Sequence, residues 1–394
     1  MLVTGVLIRS ISRARAVAFE VLQSVASGAY ASDALLEKSR LLSQRDAGLA
    51  AQIVFGCLRY QLQLDFLILH YGGRGAPSLD PPVLTALRTA IFQIRYLERV
   101  PAHAAVHESV EYVKAQKRPA AGFVNAVLRK VNRDPVRWPD TATELSCPEW
   151  LLQGWERHFG AAHARLIAQA ALNEPVPYVR VAPGSNPWPG AQLEKTPVAG
   201  CFRPLSPAPE GIRLQDISSQ AIVPMLELRP DHSYLDLCAA PGNKTIQALE
   251  SGPRLAVACD ISFRRVSSIP AICPRVVLDA ATPLPFSCRF DRIFIDAPCS
   301  GTGTLARNPE IKWRVQRLDF ERFQQLQSRI VYQAIQWLAP GGKLLYATCS
   351  LEEQENEQVI AGIISSIPGL RCTAHVWRLP GRDEGDGFYA AVLE

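Results

Sequence analysis

The chain has 394 residues, 48% of them hydrophobic, with 42 Lys and Arg against 37 Asp and Glu. That length and apolar content allow a substantial core divided over two or three domains, and they exclude a disordered or fibrous chain. Ten cysteines without a Cys-x-x-Cys pair, and without a His/Cys cluster at zinc-ligand spacing, indicate neither a disulfide framework nor a metal site.

Reduced thiols fit a cytoplasmic protein. The opening Met1-Leu-Val-Thr-Gly-Val-Leu-Ile8 is apolar but too short for a signal sequence, and it runs into Arg9 and Arg13 without a cleavage site. No run of eighteen apolar residues occurs, so no membrane span is expected. The positive charge is unevenly placed: residues 1–150 hold 18 Lys and Arg against 13 Asp and Glu, whereas the rest is balanced. Lys114, Lys117, Arg118, Arg129, Lys130, Arg133 and Arg137 stand against the single acid Asp134, a pattern suited to phosphate contact or to a solvated helix face.

From Ser12 to about Arg133 apolar residues recur at helical spacing. Ala16, Phe19, Val21, Leu22 and Val25 share one face, as do Leu49, Ile53, Val54, Cys57 and Leu58. Breakers at Gly72-Gly73, Pro81-Pro82, Pro101 and Pro119 divide the helices, which predicts an all-α domain over residues 1–140. Residues 141–216 predict a short helix around Trp150–His158. A linker follows with nine prolines between Pro175 and Pro209, containing a small α+β element with strands at Tyr178-Val-Arg-Val and Ile212-Arg-Leu.

Residues 217–394 alternate short apolar strands with helices. Strands are predicted at Tyr234–Leu237, Leu255–Cys259, Arg275–Leu278, Arg292–Ile295 and Lys343–Ala347, with a helix over Asp319–Leu338 before the Pro340-Gly-Gly turn. This is the pattern of a doubly wound α/β sheet, whose ligands bind beyond the carboxyl ends of the strands. Gly242, Asp260, Asp296 and Cys349 all fall at such ends.

After Leu235-Asp-Leu, the small residues Ala239, Ala240 and Gly242 leave backbone N–H groups open to a ligand carboxylate or phosphate, or serve packing alone. Asp260 ends the next strand, where an acid holds ribose hydroxyls or caps a helix, and Asp279 ends the third. Cys299 in Asp296-Ala-Pro-Cys-Ser-Gly-Thr-Gly and Cys349 in Tyr346-Ala-Thr-Cys-Ser each follow an apolar strand. Carbon 5 of cytosine accepts a methyl group only after a thiolate adds to carbon 6, so an exposed, activated cysteine is required. Ser350 and Glu353 form an S-x-x-E pattern that predicts a helix starting at once after Cys349, with its positive end favouring thiolate. Asp296 is placed to hydrogen-bond the N3 and amino edge of a flipped cytosine.

Together, Asp-Leu-Cys-Ala-Ala-Pro-Gly-x-Lys-Thr, Asp-Ala-Pro-Cys-Ser-x-x-Gly, Asn308-Pro-Glu-Ile-Lys-Trp313 and Tyr-Ala-Thr-Cys-Ser resemble the Sun/Fmu (RsmB) family of RNA cytosine-C5 methyltransferases, in family order. Leu87-Arg-Thr-Ala-Ile-Phe-Gln-Ile-Arg-Tyr and Pro101-Ala-His-Ala-Ala-Val-His-Glu resemble the NusB RNA-binding domain, and Gly385-Asp-Gly-Phe-Tyr389 extends the likeness almost to the end. The resemblance implies a Rossmann-like methyltransferase domain behind an all-α NusB-like domain. It further implies S-adenosyl-L-methionine as cofactor and small-subunit rRNA as partner, with cytosine 967 of 16S rRNA the target and no metal or membrane involved. It implies Cys349 as nucleophile, Cys299 as the residue assisting release, and Asp296 and Lys244 as further catalytic residues. Cys238, Ala239, Ala240, Pro241, Gly242, Asn243 and Lys244 would line the methionine end of the cofactor, Asp260 its ribose and Asp279 its adenine, with Asp296 bridging cofactor and cytosine.

The cysteine roles follow from the resemblance alone, because DNA cytosine methyltransferases attack with the Pro-Cys position. Asn243 replaces a family glycine, the Asp260–Asp279 connection is short and interrupted by Ile269-Pro and Ile272-Cys-Pro, and the proline-rich middle is reduced. The alternatives are the same chemistry on another rRNA or tRNA cytosine, and a non-catalytic RNA-binding ribosome assembly factor.

Overall fold

The computed structural model describes residues 11–185, 188–209 and 211–394; the apolar opening Met1–Ile8 lies outside the described residues. The chain forms two compact units. One comprises the described residues up to Gln153 together with Ala171–Asn173 and Ala306–Arg314, and the other Gly154–Ala170, Glu174–Leu305 and Val315–Glu394. Residues 141–216 are shared between them.

The first unit is helical: α1 (Arg13–Ala26), α2 (Ala31–Lys38), α3 (Gln44–Arg59), α4 (Gln61–Gly72), α5 (Pro81–Tyr96), α6 (Ala102–Lys117), α7 (Ala121–Leu128) and the short α8 (Thr141–Glu144). The breakers read from sequence mark the boundaries for stated reasons. Gly73 ends α4 in the left-handed region at φ +66°, Pro81 and Pro82 occupy the first positions of α5, where a missing N–H costs nothing, and Pro101 caps α6. Phe19, Val21, Val25, Ile53, Val54, Cys57 and Leu58 are buried in one core, with Ala16, Leu22 and Leu49 packed at its margin.

A polar joint crosses this core. Buried Arg15 of α1 donates from Nε to Gln93 Oε1 of α5 at 2.6 Å and pairs through Nη1 with Glu108 Oε1 of α6 at 2.7 Å. The basic run is partly consumed by the fold. Lys114 pairs with Glu111 and Lys117 with Asp80, while Lys130 donates to the Tyr71 carbonyl and Arg133 to those of Ile94 and Leu97. The Asn308–Trp313 motif also lies in this unit. Lys312 Nζ and Trp313 Nε1 donate to the last carbonyls of α3, at Arg59 and Leu58, and Glu310 accepts the Ala31 N–H that opens α2. The motif thus satisfies backbone groups at two helix ends, although burial lowers the Lys312 pKa to about 7.

The second unit takes in α9 (Glu149–Phe159) from Gly154 onward and α10 (Ala161–Ala170), the latter absent from the sequence reading. A small antiparallel sheet follows, with β1 (Val179–Arg180), β2 (Leu193–Lys195) and β3 (Cys201–Pro204) in the order β1-β3-β2. The strand expected at Ile212-Arg-Leu is reduced to a single bridge between Val179 and Leu214.

Beyond these come α11 (Ile217–Ile222), β4 (Ser233–Leu237), α12 (Asn243–Leu249), β5 (Leu255–Asp260), α13 (Phe263–Ser268), β6 (Arg275–Val277), β7 (Phe290–Asp296), α14 (Ile311–Arg314, in the first unit), α15 (Arg317–Ile335), β8 (Leu338–Thr348), α16 (Glu357–Ser366), β9 (Cys372–Arg378) and β10 (Phe388–Leu393). The sheet order is β6-β5-β4-β7-β8-β10-β9, parallel from β6 to β8, with β10 antiparallel to both β8 and β9. The chain leaves β4 in one direction and returns to β7 on its other side, which opens a crevice at the carboxyl ends of those two strands. The Pro340-Gly-Gly turn lies within β8, where the register jumps between the Phe290–Leu338 and Arg292–Lys343 pairs.

Both faces of the parallel strands are covered. Leu235, Leu237, Ile293, Ile295, Leu344 and Tyr346 pack on one side, and Tyr234, Phe294, Leu345 and Ala347 on the other. The unbroken apolar runs read from sequence reflect this two-sided burial, each large side chain contributing roughly 1.5–3 kcal/mol.

The Arg15 joint gives a stability test of the helical unit. Arg15→Ala leaves Glu108 and Gln93 without their charged partner, and chemical denaturation is expected to show a loss of about 2–4 kcal/mol. A loss below about 0.5 kcal/mol would mean the joint contributes nothing net.

Candidate active site

The turn after β4 is built to leave backbone accessible. Cys238 has φ +68° and Gly242 φ +100°, and a Cβ on Gly242 would press on Ile269 and Pro270 at 3.1 and 3.3 Å. Ala239 and Ala240 are buried beneath the turn. Asn243 begins α12, has no positive φ, and donates from Nδ2 to the Leu214 carbonyl at 3.2 Å. A second glycine is therefore not required there by the backbone. Burial pushes the Cys238 thiol pKa up, away from thiolate.

Asp236 anchors the turn from below. It is fully buried, and its Oδ2 accepts from Tyr234 Oη at 3.1 Å and Thr245 Oγ1 at 2.6 Å, while Oδ1 has no hydrogen-bond partner among the described residues. Burial drives its pKa up to about 7. At the end of β5, Asp260 Oδ2 faces the Ala240 N–H at 3.4 Å and pairs with Arg265 at 3.2 Å, and Oδ1 accepts from the Ser262 N–H. Arg265 also donates to the Ala240 carbonyl at 3.1 Å, so it ties the two strand ends together. Asp279 stands apart, exposed beyond β6, with Oδ1 accepting from the Ala281 N–H at 2.9 Å.

On the other side of β4, Lys244 of α12 pairs with Asp296 at the end of β7, Nζ to Oδ2 at 2.6 Å, and lies 5.0 Å from the centre of the Phe388 ring. Burial alone would lower the Lys244 pKa, but the Asp296 carboxylate and the nearby Cys349 sulfur more than offset it and the pKa is raised. Lys244 is therefore a fixed cation. The two cysteines meet, with Sγ of Cys299 3.4 Å from Sγ of Cys349. Their hydrogen bond, burial and the neighbouring charges of Cys349, Glu355 and Asp296 hold the Cys299 pKa well above the ordinary thiol range.

The helix expected immediately after Cys349 does not form. Glu353–Glu355 is a 3-10 turn, α16 starts only at Glu357, and Ser350 Oγ accepts from the Glu352 N–H rather than capping Glu353. The reason is that Ser350 is engaged elsewhere: it donates to Glu355 Oε1 at 2.7 Å and lies 3.1 Å from Ser300 Oγ. A close backbone approach completes the arrangement. Gly303 N donates to the Cys349 carbonyl at 2.9 Å and Gly387 N to the Gly303 carbonyl at 2.7 Å, and a Cβ on Gly303 would lie 2.4 Å from the Gly387 oxygen. The second glycine of Ser-Gly-Thr-Gly and the second of Gly-Asp-Gly-Phe are thereby explained as one contact.

Asp236 makes the stability of this unit pH-dependent with a definite sign. Its folded pKa of about 7 lies above the ordinary value of 3.8, so the folded state holds a proton that the unfolded state has released between those pH values. Its contribution is complete below about pH 4 and is lost as pH rises through about 7. In denaturant titrations from pH 5 to 7.5, Asp236→Asn is expected to lose stability with pH less steeply than the wild type; an unchanged slope would place the responsible group elsewhere.

The family model described as 16S rRNA methyltransferase RsmB/F matches residues 223–394, and the NusB family model matches residues 12–133. The chain is 32% identical to ribosomal RNA small subunit methyltransferase B of Cronobacter sakazakii over 94% of its own length and 96% of that protein's. It is 30% identical to the probable ribosomal RNA small subunit methyltransferase B of Bacillus subtilis over 90% and 88% of the two chains. The crystal structure of PH0851 superposes with a TM-score of 0.79 at 20% identity, covering 97% of this chain and 98% of that one. With a NusB domain preceding a Rossmann-like methyltransferase domain, the chain belongs to the ribosomal RNA small subunit methyltransferase B family.

Proposed function

We propose that this protein methylates carbon 5 of a cytosine in small-subunit rRNA in the cytoplasm, using S-adenosyl-L-methionine, at the same cytosine that the family resemblance implies. The observation that carries the reading is the pair of sulfurs 3.4 Å apart, beyond β7 and β8 and beside the Lys244–Asp296 ion pair. Two thiols so placed suit a reaction in which one bonds to the base and the other acts on the adduct.

The turn after β4 fits such a cofactor: it is free of side-chain bulk at Ala239, Ala240 and Gly242, and the buried Asp236 below it keeps an unpartnered oxygen. When bound, the cofactor supplies an electrophilic methyl group. Cys238 through Lys244 would hold its methionine end, Asp260 its ribose hydroxyls and Asp279 its adenine, with Asp296 shared between cofactor and cytosine. Cys349, as thiolate, adds to carbon 6 and makes carbon 5 nucleophilic. Lys244 and Asp296 fix and polarise the N3 and amino edge as charge develops there. Once carbon 5 carries the methyl group a base takes its proton, the carbon 5–carbon 6 double bond re-forms, and Cys349 is expelled as thiolate, with Cys299 assisting from its hydrogen bond to Cys349. The NusB-like helical unit, residues 1–140 in the proposed division, would contribute RNA contacts, and residues 141–216 would link it to the methyltransferase domain of residues 217–394.

Incubation of Cys299→Ala protein with rRNA transcript and cofactor is expected to trap a covalent protein–RNA complex stable on a denaturing gel. Cys349→Ala should abolish both that complex and, by about a thousandfold or more, methyl transfer. Persistence of the complex in the double variant would overturn Cys349 as the nucleophile, and absence of labelled methyl in RNA from the wild type would defeat the reading itself.

A further inference from the structure

Glu355 is the buried group through which the two cysteine loops are joined. Its Oε2 accepts from the Ser300 N–H at 2.8 Å and from Gln327 Nε2 at 3.1 Å, and its Oε1 accepts from Ser350 Oγ at 2.7 Å and from Ser300 Oγ. Ser300 follows Cys299 directly, and Ser350 follows Cys349. One carboxylate therefore holds the residue next to each sulfur.

Glu355 is itself fixed. Tyr346 Oη, from β8, donates to its carbonyl at 2.6 Å. The adjacent Asn356 accepts from Thr348 Oγ1 at 2.5 Å and donates to the Ser350 carbonyl at 3.0 Å, gripping the chain on both sides of Cys349. On the opposite loop Gln327 donates also to the Pro298 carbonyl at 2.9 Å, immediately before Cys299. Hydrogen bonds from Ser300, Ser350 and Gln327 all converge on this carboxyl group and favour its charged form, while burial outweighs them and raises its pKa above the ordinary carboxylate value.

We propose that Glu355 is the positioning residue for the cysteine pair, setting the separation of Cys299 and Cys349 by clamping both loops with one carboxylate. This rests on the methyltransferase reading for its purpose and on the hydrogen bonds alone for its geometry. A carboxylate is suited to the task because it accepts four hydrogen bonds at once, whereas an amide must turn a donor toward groups that are themselves donors. Its charge also faces the Cys299 thiol and adds to the forces keeping that sulfur protonated.

The test needs neither RNA nor cofactor, so its failure is distinct from failure of the methylation reading. The full chain is oxidised with diamide, whose diazene takes up the two hydrogens as the thiols close to a disulfide, and the Cys299–Cys349 peptide pair is followed by mass spectrometry. Wild-type protein is expected to cross-link rapidly. Glu355→Gln and Ser300→Ala should cross-link about tenfold more slowly or worse, with near-ultraviolet circular dichroism unchanged. A second readout separates positioning from general loosening: in Glu355→Gln the pH profile of Cys299 alkylation by iodoacetamide moves to lower pH, while that of the exposed Cys288 does not. If Glu355→Gln does not fold, Ser300→Ala, which deletes one hydroxyl, decides alone. Cross-linking within twofold of wild type in the folded variants, or an unmoved Cys299 profile in Glu355→Gln, overturns the proposal.

Discussion

The two-sided burial of the parallel sheet is the constraint on which the rest depends. Strands β4, β7 and β8 carry apolar side chains on both faces, so no titratable group can project from their middles without desolvation. The chemistry is thereby confined to the carboxyl edge, where the chain leaves the sheet. The reversal of strand order between β4 and β7 then brings the turn holding Gly242 alongside the loop holding Asp296 and Cys299, with Cys349 one strand further on. Neighbours at this edge are far apart in sequence and close in space because of topology.

Every charge that lies near this edge is compensated locally, and the compensation differs from group to group. Lys244 and Asp296 neutralise one another, and Asp260 is matched by Arg265. Among the described residues Glu355 has no ion-pair partner and is carried by hydrogen-bond donors, while Asp236, with two donors and one oxygen unpartnered there, meets burial by holding its proton to about pH 7. An isolated buried ion costs several kcal/mol, so these arrangements are conditions for folding before they are features of a reaction. A pair such as Lys244–Asp296 contributes little net stability, and its value lies in a cation and an anion fixed at a known separation.

Much of this was legible in the sequence, for identifiable reasons. Strand positions followed from apolar runs, because strands buried on both faces have no polar alternation to obscure them. Helix boundaries in the first unit followed from Gly73, Pro81 and Pro101, whose backbone restrictions act locally. The terminal β9–β10 pair was not read, since its edge strand is half-exposed and mixed in composition. The Asn308–Trp313 motif was legible as part of the family likeness but its place in the fold was not, since its polar side chains satisfy the ends of α2 and α3. The Ser350–Glu353 pattern misled for a related reason. A capping box presumes that the serine is available, and here a tertiary partner two residues further along takes it.

Glu355 shows why the last part of a site is the hardest to read. It sits in Glu352-Glu-Gln-Glu-Asn-Glu357, a run whose composition is that of a solvated helix face. Glu352 and Glu355 are instead buried, Glu352 accepting from Trp155 Nε1 at 3.0 Å, while Glu353 faces solvent. The three-residue spacing that turns the two acids inward belongs to a 3-10 turn, whose period no hydrophobic pattern announces. The difference between the cysteines has the same origin. Each follows a strand and precedes a serine, so local sequence makes them equivalent. Their inequality arises from what lies across the gap: Cys349 has the Lys244 cation within electrostatic reach, and Cys299 has burial, the other sulfur and a carboxylate. The two thiols are thus told apart by neighbours that only the fold supplies.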